Sequence, residues 1–124
     1  METKLIITDD GSHTLYVPGM NEHYHSRFGA MTESRHIFIN AGLATLPPGD
    51  TAILEVGFGT GLNALLTAIH AGDEKIRVRY TTLEKEPLEA SIISRLNYGA
   101  MTGEDREKLF MAIHEAPWNK SHAN

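Results

Sequence analysis

The residues best suited to chemistry in this sequence are three glycines at alternate positions, Gly57, Gly59 and Gly61. They follow the apolar run 52–56 and precede leucines at helical spacing, so the pattern predicts a strand, a glycine-rich turn and a helix. Such a turn aims backbone N–H groups at a ligand from the N-terminus of the helix. Glycine suits these positions because a Cβ atom would block the approach of the ligand, and because such turns often use positive φ angles.

The spacing of the glycines argues against two common nucleotide sites. The dinucleotide fingerprint G-x-G-x-x-G requires glycine at position 62, where this sequence has Leu62. A P-loop requires Gly-Lys-Ser or Gly-Lys-Thr, and no lysine lies in the turn. The remaining pattern, E-x-G-x-G-x-G beginning at Glu55, resembles the first motif of S-adenosylmethionine-dependent methyltransferases.

A second carboxylate supports the same site. Residues 76–81 alternate between apolar and polar types and predict a second strand, which ends near Glu84. A carboxylate at this position can accept two hydrogen bonds from a ribose diol, as the acidic residue of dinucleotide-binding folds does. We therefore expect Glu84 to hold the ribose of the cofactor and Glu55 to act from beneath the loop on its amino group. The alternatives are a tight turn that needs glycine for packing only and a solvated glutamate at a strand end.

Two elements are predicted ahead of this unit. Short β-prone runs on either side of residues 10–12 predict a β-hairpin with a turn at Asp10-Gly11-Ser12. Residues 30–41 predict a helix that ends before Gly42. Its expected apolar stripe consists of Met31, Ile37, Phe38 and Ala41.

The remaining elements follow from apolar runs and stop signals. The run 52–56 predicts a strand buried on both faces, and the helix after the glycines is expected to end at Gly72. A further helix is predicted from Pro87 to Leu96, with residues 97–99 as its stop. Thr102 and Asp105 then resemble a capping box that opens a last helix.

Together these elements predict an α/β fold, a truncated Rossmann-like class I methyltransferase fold preceded by an N-terminal β-hairpin and helix. We expect one partial domain over residues 1–124. The hairpin and first helix would occupy 1–46, and the first two βα units plus an extra helix would occupy 51–116.

Composition narrows the function classes. The 124 residues are 41% hydrophobic and 22% charged, which is typical of a globular protein, and the net charge of −5 argues against a broad nucleic-acid-binding face. The absence of cysteine excludes disulfides and zinc–thiolate sites. We expect no metal, although His23, His25 and His36 with Glu22 form the best candidate cluster. The sequence has no signal peptide or membrane-spanning run, so the expected location is the cytoplasm.

Two longer segments resemble one family, the MnmC-like methyltransferases that act on an aminomethyl group of tRNA wobble uridine. One segment is 24–39, with Tyr-His-Ser, Gly-Ala and Glu-Ser-Arg-His-Ile-Phe-Ile; the other is 54–63, with Gly-Phe-Gly-Thr-Gly-Leu-Asn, followed by 83–88. The resemblance implies methyl transfer from S-adenosylmethionine to a primary amine. It also implies a set of residues that line the cofactor, namely Gly57, Gly59, Gly61, Asn63, Glu84 and Glu33. For Glu33, a glutamate that simply favours the helix dipole is an equal alternative.

The sequence departs from the family toward its end. Family members continue into further strands with acidic residues next to the adenine and the substrate amine, so the catalytic residues are unknown here and expected in the missing part. We expect this chain alone to be inactive, to meet tRNA only if completed, and to form a homodimer or higher oligomer through exposed strand edges. The alternatives are a non-catalytic oligomerising remnant of the fold and a methyltransferase for another amine.

Overall fold

The computed structural model describes residues 2–103 and 105–122; of the predicted domain 1–124, residues 1, 104, 123 and 124 lie outside this described part. An antiparallel sheet comes first, followed by a helical segment, a parallel β-α-β unit and a group of helices. The strands are β1 Lys4–Ile7, β2 His13–Val17, β3 Glu22–His23, β4 Thr51–Val56 and β5 Val78–Leu83. The helices are α1 Ala30–Ser34, α2 Leu62–Glu74, α3 Ala90–Ile93, α4 Tyr98–Thr102 and α5 Arg106–Glu115.

The predicted hairpin is confirmed, and its turn also caps the first helix. β1 pairs antiparallel with β2, and the short β3, which the sequence pattern did not predict, pairs with the other edge of β2. The side chains of Thr8, Asp10 and Ser12 accept hydrogen bonds of 2.8–3.1 Å from the backbone N–H groups of residues 30–32. The N-cap residue Gly29 has no side chain to do this, so the hairpin turn satisfies the first N–H groups of α1.

The helix over 30–41 is confirmed as helical. Its predicted apolar stripe is confirmed at Met31, which is buried, and wrong at Ile37, Phe38 and Ala41, which are exposed. After α1 the chain continues as a π-helix, Arg35–Asn40, in which Ala41 N–H donates to the carbonyl of His36. The wider turn shifts the helical register, so Ile39 is buried while Ile37 and Phe38 are 49% and 51% exposed.

The β-α-β unit follows the predicted order. β4 and β5 are parallel, in register from Thr51 opposite Val78 to Val56 opposite Leu83. α2 crosses between them and buries Leu62, Leu65 and Leu66 at the predicted spacing. The helix runs two residues beyond the predicted stop at Gly72 and ends at Lys75, whose φ of 54° is left-handed.

The prediction that β4 is buried on both faces is wrong. Ile53 and Glu55 face the core, but Leu54 and Val56 are 67% and 81% exposed, and Leu83 on β5 is 54% exposed. Helices pack on only one side of the two strands within the described residues, so the alternate side chains stay in contact with solvent. We refer to the surface of Ala52, Leu54, Val56, Thr81 and Leu83 as the open face.

The helix predicted from Pro87 to Leu96 is also wrong in extent. α3 covers only four residues, because Glu89 is extended, with ψ of 148°, and delays the start of the helix. Beyond Ile93 the turn tightens, since Arg95 and Leu96 donate to carbonyls three residues back. Leu96 is nevertheless buried.

The predicted helix stop and the predicted capping box have other roles in the structure. Residues 97–99, the expected helix stop, instead open α4, and the Asn97 side chain accepts from His13 N–H and donates to the Gly11 carbonyl. The predicted capping box is wrong: the Thr102 hydroxyl bonds back to the carbonyls of its own helix, and Asp105 makes no side-chain cap to α5. Asn97 is the N-cap residue of α4, and its side chain ties the start of this helix to the hairpin turn.

The core is shared by both predicted parts of the chain. Leu15 and Ala30 from the N-terminal part pack in one cluster with Leu62, Leu65 and Phe110. Glycine is needed at 99 because a Cβ atom there would lie 2.6 Å from the backbone of Glu107 in α5. Across the described ranges, no helix is long and apolar enough to cross a membrane.

Candidate functional site

The glycine turn lies at the carboxyl end of β4 and leads directly into α2. Gly57, Gly59 and Gly61 have φ angles of 93°, 57° and 79°, a region that disfavours residues with a Cβ atom. Gly61 is the N-cap of α2, and no side chain caps the helix there. The turn over residues 57–61, called the glycine loop below, therefore leads into a helix N-terminus that has no side-chain cap.

Glu84, which the sequence predicts at the end of the second strand, lies against this loop. Its Oε1 atom accepts a hydrogen bond of 2.7 Å from Gly59 N–H, and its Oε2 atom accepts one of 3.1 Å from Glu86 N–H. The loop begins in the same place, because the N–H groups of Gly57 and Phe58 both donate to the Leu83 carbonyl. The carboxylate and the loop thus form one hydrogen-bonded edge.

Glu55 lies below the loop on the inner face of β4. Its Oε1 accepts a hydrogen bond of 2.7 Å from the hydroxyl of Thr82. Burial raises the pKa of Glu55; hydrogen bonds from Thr82, Tyr80 and Asn63 oppose this, and the charge of Glu84 adds to it. A cation beside Glu55 would therefore be stabilised by the carboxylate and would return its pKa toward the ordinary range.

Two features leave room for a ligand. Asn63, in the first turn of α2, has a buried side-chain oxygen without a hydrogen-bond partner. A Cβ atom added to Gly57 would meet no atom within 4 Å. The Asn63 oxygen could accept a hydrogen bond from an N–H group of a ligand. The open space beside Gly57 would let a ligand approach the backbone closely.

Comparison with known proteins gives one consistent result. The MnmC protein of Cupriavidus metallidurans, named as a tRNA 5-methylaminomethyl-2-thiouridine biosynthesis bifunctional protein, is 32% identical over 107 residues, which are 80% of this chain. The protein of the same name from Chromobacterium violaceum is 37% identical over 82 residues. A crystal structure of MnmC2 from Aquifex aeolicus matches 71% of this chain with a TM-score of 0.60 and 32% identity. The chain is MnmC-like.

The match covers only part of each relative. This MnmC-like chain spans 15% of the length of the Cupriavidus protein, 12% of the Chromobacterium protein and 31% of the Aquifex chain. No protein-family model matches the sequence.

Three residues that sequence reasoning did not place at the site contact the glycine loop of the MnmC-like chain. The ring of Tyr24 lies 3.2 Å from where a Cβ atom of Gly59 would be. His25 Nε2 lies 2.7 Å from the hydroxyl of Thr60, and His114 Nε2 lies 2.8 Å from its carbonyl oxygen. Tyr24 and His25 belong to the Tyr-His-Ser segment that carried the resemblance, whereas no local signal marks His114.

Glu33 occupies a different position from the other predicted residues. It is exposed on α1 and lines a cleft of about 500 Å³ together with Tyr24, His25, Arg27 and Phe28. The cleft and the loop share Tyr24 as a neighbour, but the role of Glu33 stays a prediction.

Two of the three histidines in the best metal candidate cluster have other partners. His23 packs its ring on Tyr16 at 4.8 Å between centroids, and His25 bonds to Thr60. In the part of the chain that the structure describes, no group of three or more His, Asp or Glu side chains is arranged to hold a metal ion.

Proposed function

We propose that this chain binds S-adenosylmethionine on the glycine loop and belongs to a Rossmann-like methyltransferase that modifies tRNA wobble uridine. The parallel β4-α2-β5 unit supports the fold, because doubly wound sheets bind ligands at the carboxyl ends of such strands. The MnmC relatives are named for tRNA 5-methylaminomethyl-2-thiouridine biosynthesis, which supports the tRNA substrate.

The observation that carries the proposal is the position of Glu84 beside Gly59. A carboxylate has about four lone-pair sites, and the N–H groups of Gly59 and Glu86 occupy two of them. The remaining sites suit the two hydroxyls of a ribose. Leu62 stands where the dinucleotide fingerprint has its third glycine, so this loop suits a cofactor other than a dinucleotide.

The amino-acid end of the cofactor is expected on the other side of the loop. Glu55 and the unpartnered oxygen of Asn63 are both acceptors, and together they fit an ammonium group. When bound, the cofactor supplies a methyl group on a positively charged sulfur. The residues of this chain bind and orient it, which is the main requirement for an in-line displacement.

The test is calorimetric titration of S-adenosylmethionine into the purified chain. Glu84→Gln keeps the shape of the side chain but removes its charge, and we expect it to weaken binding by about 10- to 100-fold. Glu86→Gln, two residues along on an exposed side chain, removes the same charge and serves as the control.

The two outcomes separate clearly. Loss of affinity in Glu84→Gln but not in Glu86→Gln supports ribose binding at Glu84. Equal affinity in all three proteins would contradict it, and absence of binding by the folded wild-type chain would contradict the proposed cofactor.

We also propose that the chain self-associates through the open face and through the outer edges of β4 and β5, which pair with no other strand among the described residues. Val56 and Leu54 are largely exposed, and apolar patches on sheets are typical of interfaces. Val56→Lys should shift the sedimentation coefficient toward the monomer, whereas Met20→Lys, at an exposed apolar residue of a turn, should not. A wild-type chain that sediments as a monomer at micromolar concentration would contradict this.

A further inference from the structure

Thr60, in the middle of the glycine loop, is held from two sides by imidazole rings. The residue is fully buried. His25, from the connector before α1, contacts its hydroxyl at 2.7 Å, and His114, from the last turn of α5, contacts its carbonyl at 2.8 Å. The two rings approach the loop from segments far apart in the sequence.

The chemistry of the two contacts defines the proton on His114. A carbonyl oxygen only accepts, so Nε2 of His114 carries a proton and donates it to Thr60. A hydroxyl both donates and accepts, so His25 can pair with Thr60 in either tautomer. Both contacts can therefore form with uncharged rings.

Aromatic rings fix both imidazoles in place. Phe110 and Phe58 meet the ring of His114 edge-on, with centroids at 4.7 and 5.1 Å. Tyr98 meets the ring of His25 edge-on at 6.3 Å. Burial lowers the pKa of His25 to about 4 and also lowers that of His114, so both rings are uncharged at neutral pH.

We propose that His25 and His114 are positioning residues that hold Thr60, and through it the N–H groups of the glycine loop, in the conformation that binds the cofactor. This inference rests on the proposed function. The mechanism is preorganisation: a loop that is already fixed loses less conformational entropy when a ligand binds. Neither imidazole needs to touch the cofactor for this role.

The test compares two substitutions at each histidine. His114→Phe keeps an aromatic ring between Phe58 and Phe110 but removes the hydrogen bond to Thr60, whereas His114→Gln keeps a neutral N–H donor. We expect the phenylalanine variant to weaken S-adenosylmethionine binding by about tenfold and the glutamine variant to restore most of the affinity. His25→Phe and His25→Gln should behave in the same way, and His36→Gln, on an exposed side chain, is the control.

A second measurement does not depend on the cofactor. Trp118, the only tryptophan of the chain, packs edge-on against Phe58 of the loop with centroids at 5.6 Å. Its fluorescence in the ligand-free protein therefore reports on the packing of the loop. We expect a red shift in His114→Phe and an unchanged spectrum in His114→Gln.

These measurements distinguish the two proposals. If the wild-type chain binds no cofactor but the red shift is specific to the phenylalanine variants, the proposed cofactor is wrong and the holding of the loop is supported. If the phenylalanine variants bind like the wild type and show its fluorescence, the positioning role is overturned. Equal weakening by phenylalanine and glutamine, with unchanged fluorescence, would also overturn it.

Discussion

Gly59 N–H donates a hydrogen bond of 2.7 Å to the Oε1 atom of Glu84, and this contact joins the carboxyl ends of the two parallel strands. It brings together the turn after β4 and the first residue after β5, which are 25 positions apart. The same edge of the sheet thus holds both the uncapped N-terminus of α2 and a carboxylate. The predictions below concern the elements that keep this edge in shape.

Gly61 should be the loop glycine least able to accept a side chain. Its φ angle is 79°, and a Cβ atom would lie 2.6 Å from Nε2 of His114 and 3.0 Å from the ring of Phe58. We expect Gly61→Ala to lower the free energy of unfolding by about 2–4 kcal/mol. Gly72→Ala, in α2 with open space around it, should raise it by about 0.5–1 kcal/mol. Urea unfolding of both variants measures these changes in free energy. Equal changes in the two variants would contradict the close contacts described for Gly61.

Asp10 should contribute more to stability than its neighbour Asp9. Burial raises the pKa of Asp10, but hydrogen bonds from Ser12 and Thr32 outweigh this and hold it well below the ordinary value. Because the carboxylate caps α1, Asp10→Ala should cost about 1–2 kcal/mol. Asp9→Ala, on an exposed side chain, should cost less than about 0.5 kcal/mol. Thermal unfolding at neutral pH measures the difference, and matching losses would argue against the cap.

The hydroxyl of Tyr98 should matter far more than that of Tyr16. Tyr98 is fully buried and donates to the backbone carbonyl of His13, so Tyr98→Phe leaves that acceptor without its donor. We expect a loss of about 1–2 kcal/mol. Tyr16 bonds to the side chain of Asn21 at an exposed site, and Tyr16→Phe should change stability by less than about 0.5 kcal/mol. Chemical denaturation of the pair checks this, and a larger loss for Tyr16→Phe would refute it.

Acid should destabilise the fold in part through His25. Its pKa falls from 6.5 to about 4 on folding, so the unfolded chain binds a proton first as the pH is lowered. The contribution is fully present above pH 6.5 and is lost as the pH falls toward 4, with a change of about 2 kcal/mol between pH 7 and pH 5. The raised pKa of Glu55 acts in the opposite direction, so the wild type must be compared with a variant.

His25→Gln is that variant, since its side chain does not titrate. The unfolding free energy of the wild type relative to that of His25→Gln should fall by about 2 kcal/mol as the pH falls from 7 to 5. The exposed His36→Gln should follow the wild-type curve. Parallel curves for wild type and His25→Gln would show that the folded protein does not exclude the proton from His25.

Local patterns in the sequence were sufficient to predict the elements of the β-α-β unit. Apolar runs predicted β4, α2 and β5 to within about two residues, and they placed Glu84 at the end of β5. The hairpin turn at residues 10–12 was also predictable, because glycine and short polar residues separate two β-prone runs.

Contacts between distant segments could not be predicted in this way. Nothing near Thr60 in the sequence indicates that His25 and His114 will bond to it. The sequence around Asn97 is typical of a helix stop, and only the contact with the hairpin explains its position at the start of α4. The spacing of Ile37 is typical of a core residue, but the π-helix places it on the exposed side. The open face was missed because the apolar composition of β4 is the same whether or not a second layer covers it.

The histidine contacts to Thr60 also bear on the order in which the protein forms during synthesis. His25 lies 35 positions before Thr60 and His114 lies 54 positions after it. A ribosome releases the chain from its N-terminus, so β4, the glycine loop and α2 emerge well before α5 does. The nascent loop therefore lacks one of its two imidazole partners until the last helix has left the ribosome. Complete closure of the loop around Thr60 therefore requires that α5 has already been synthesised.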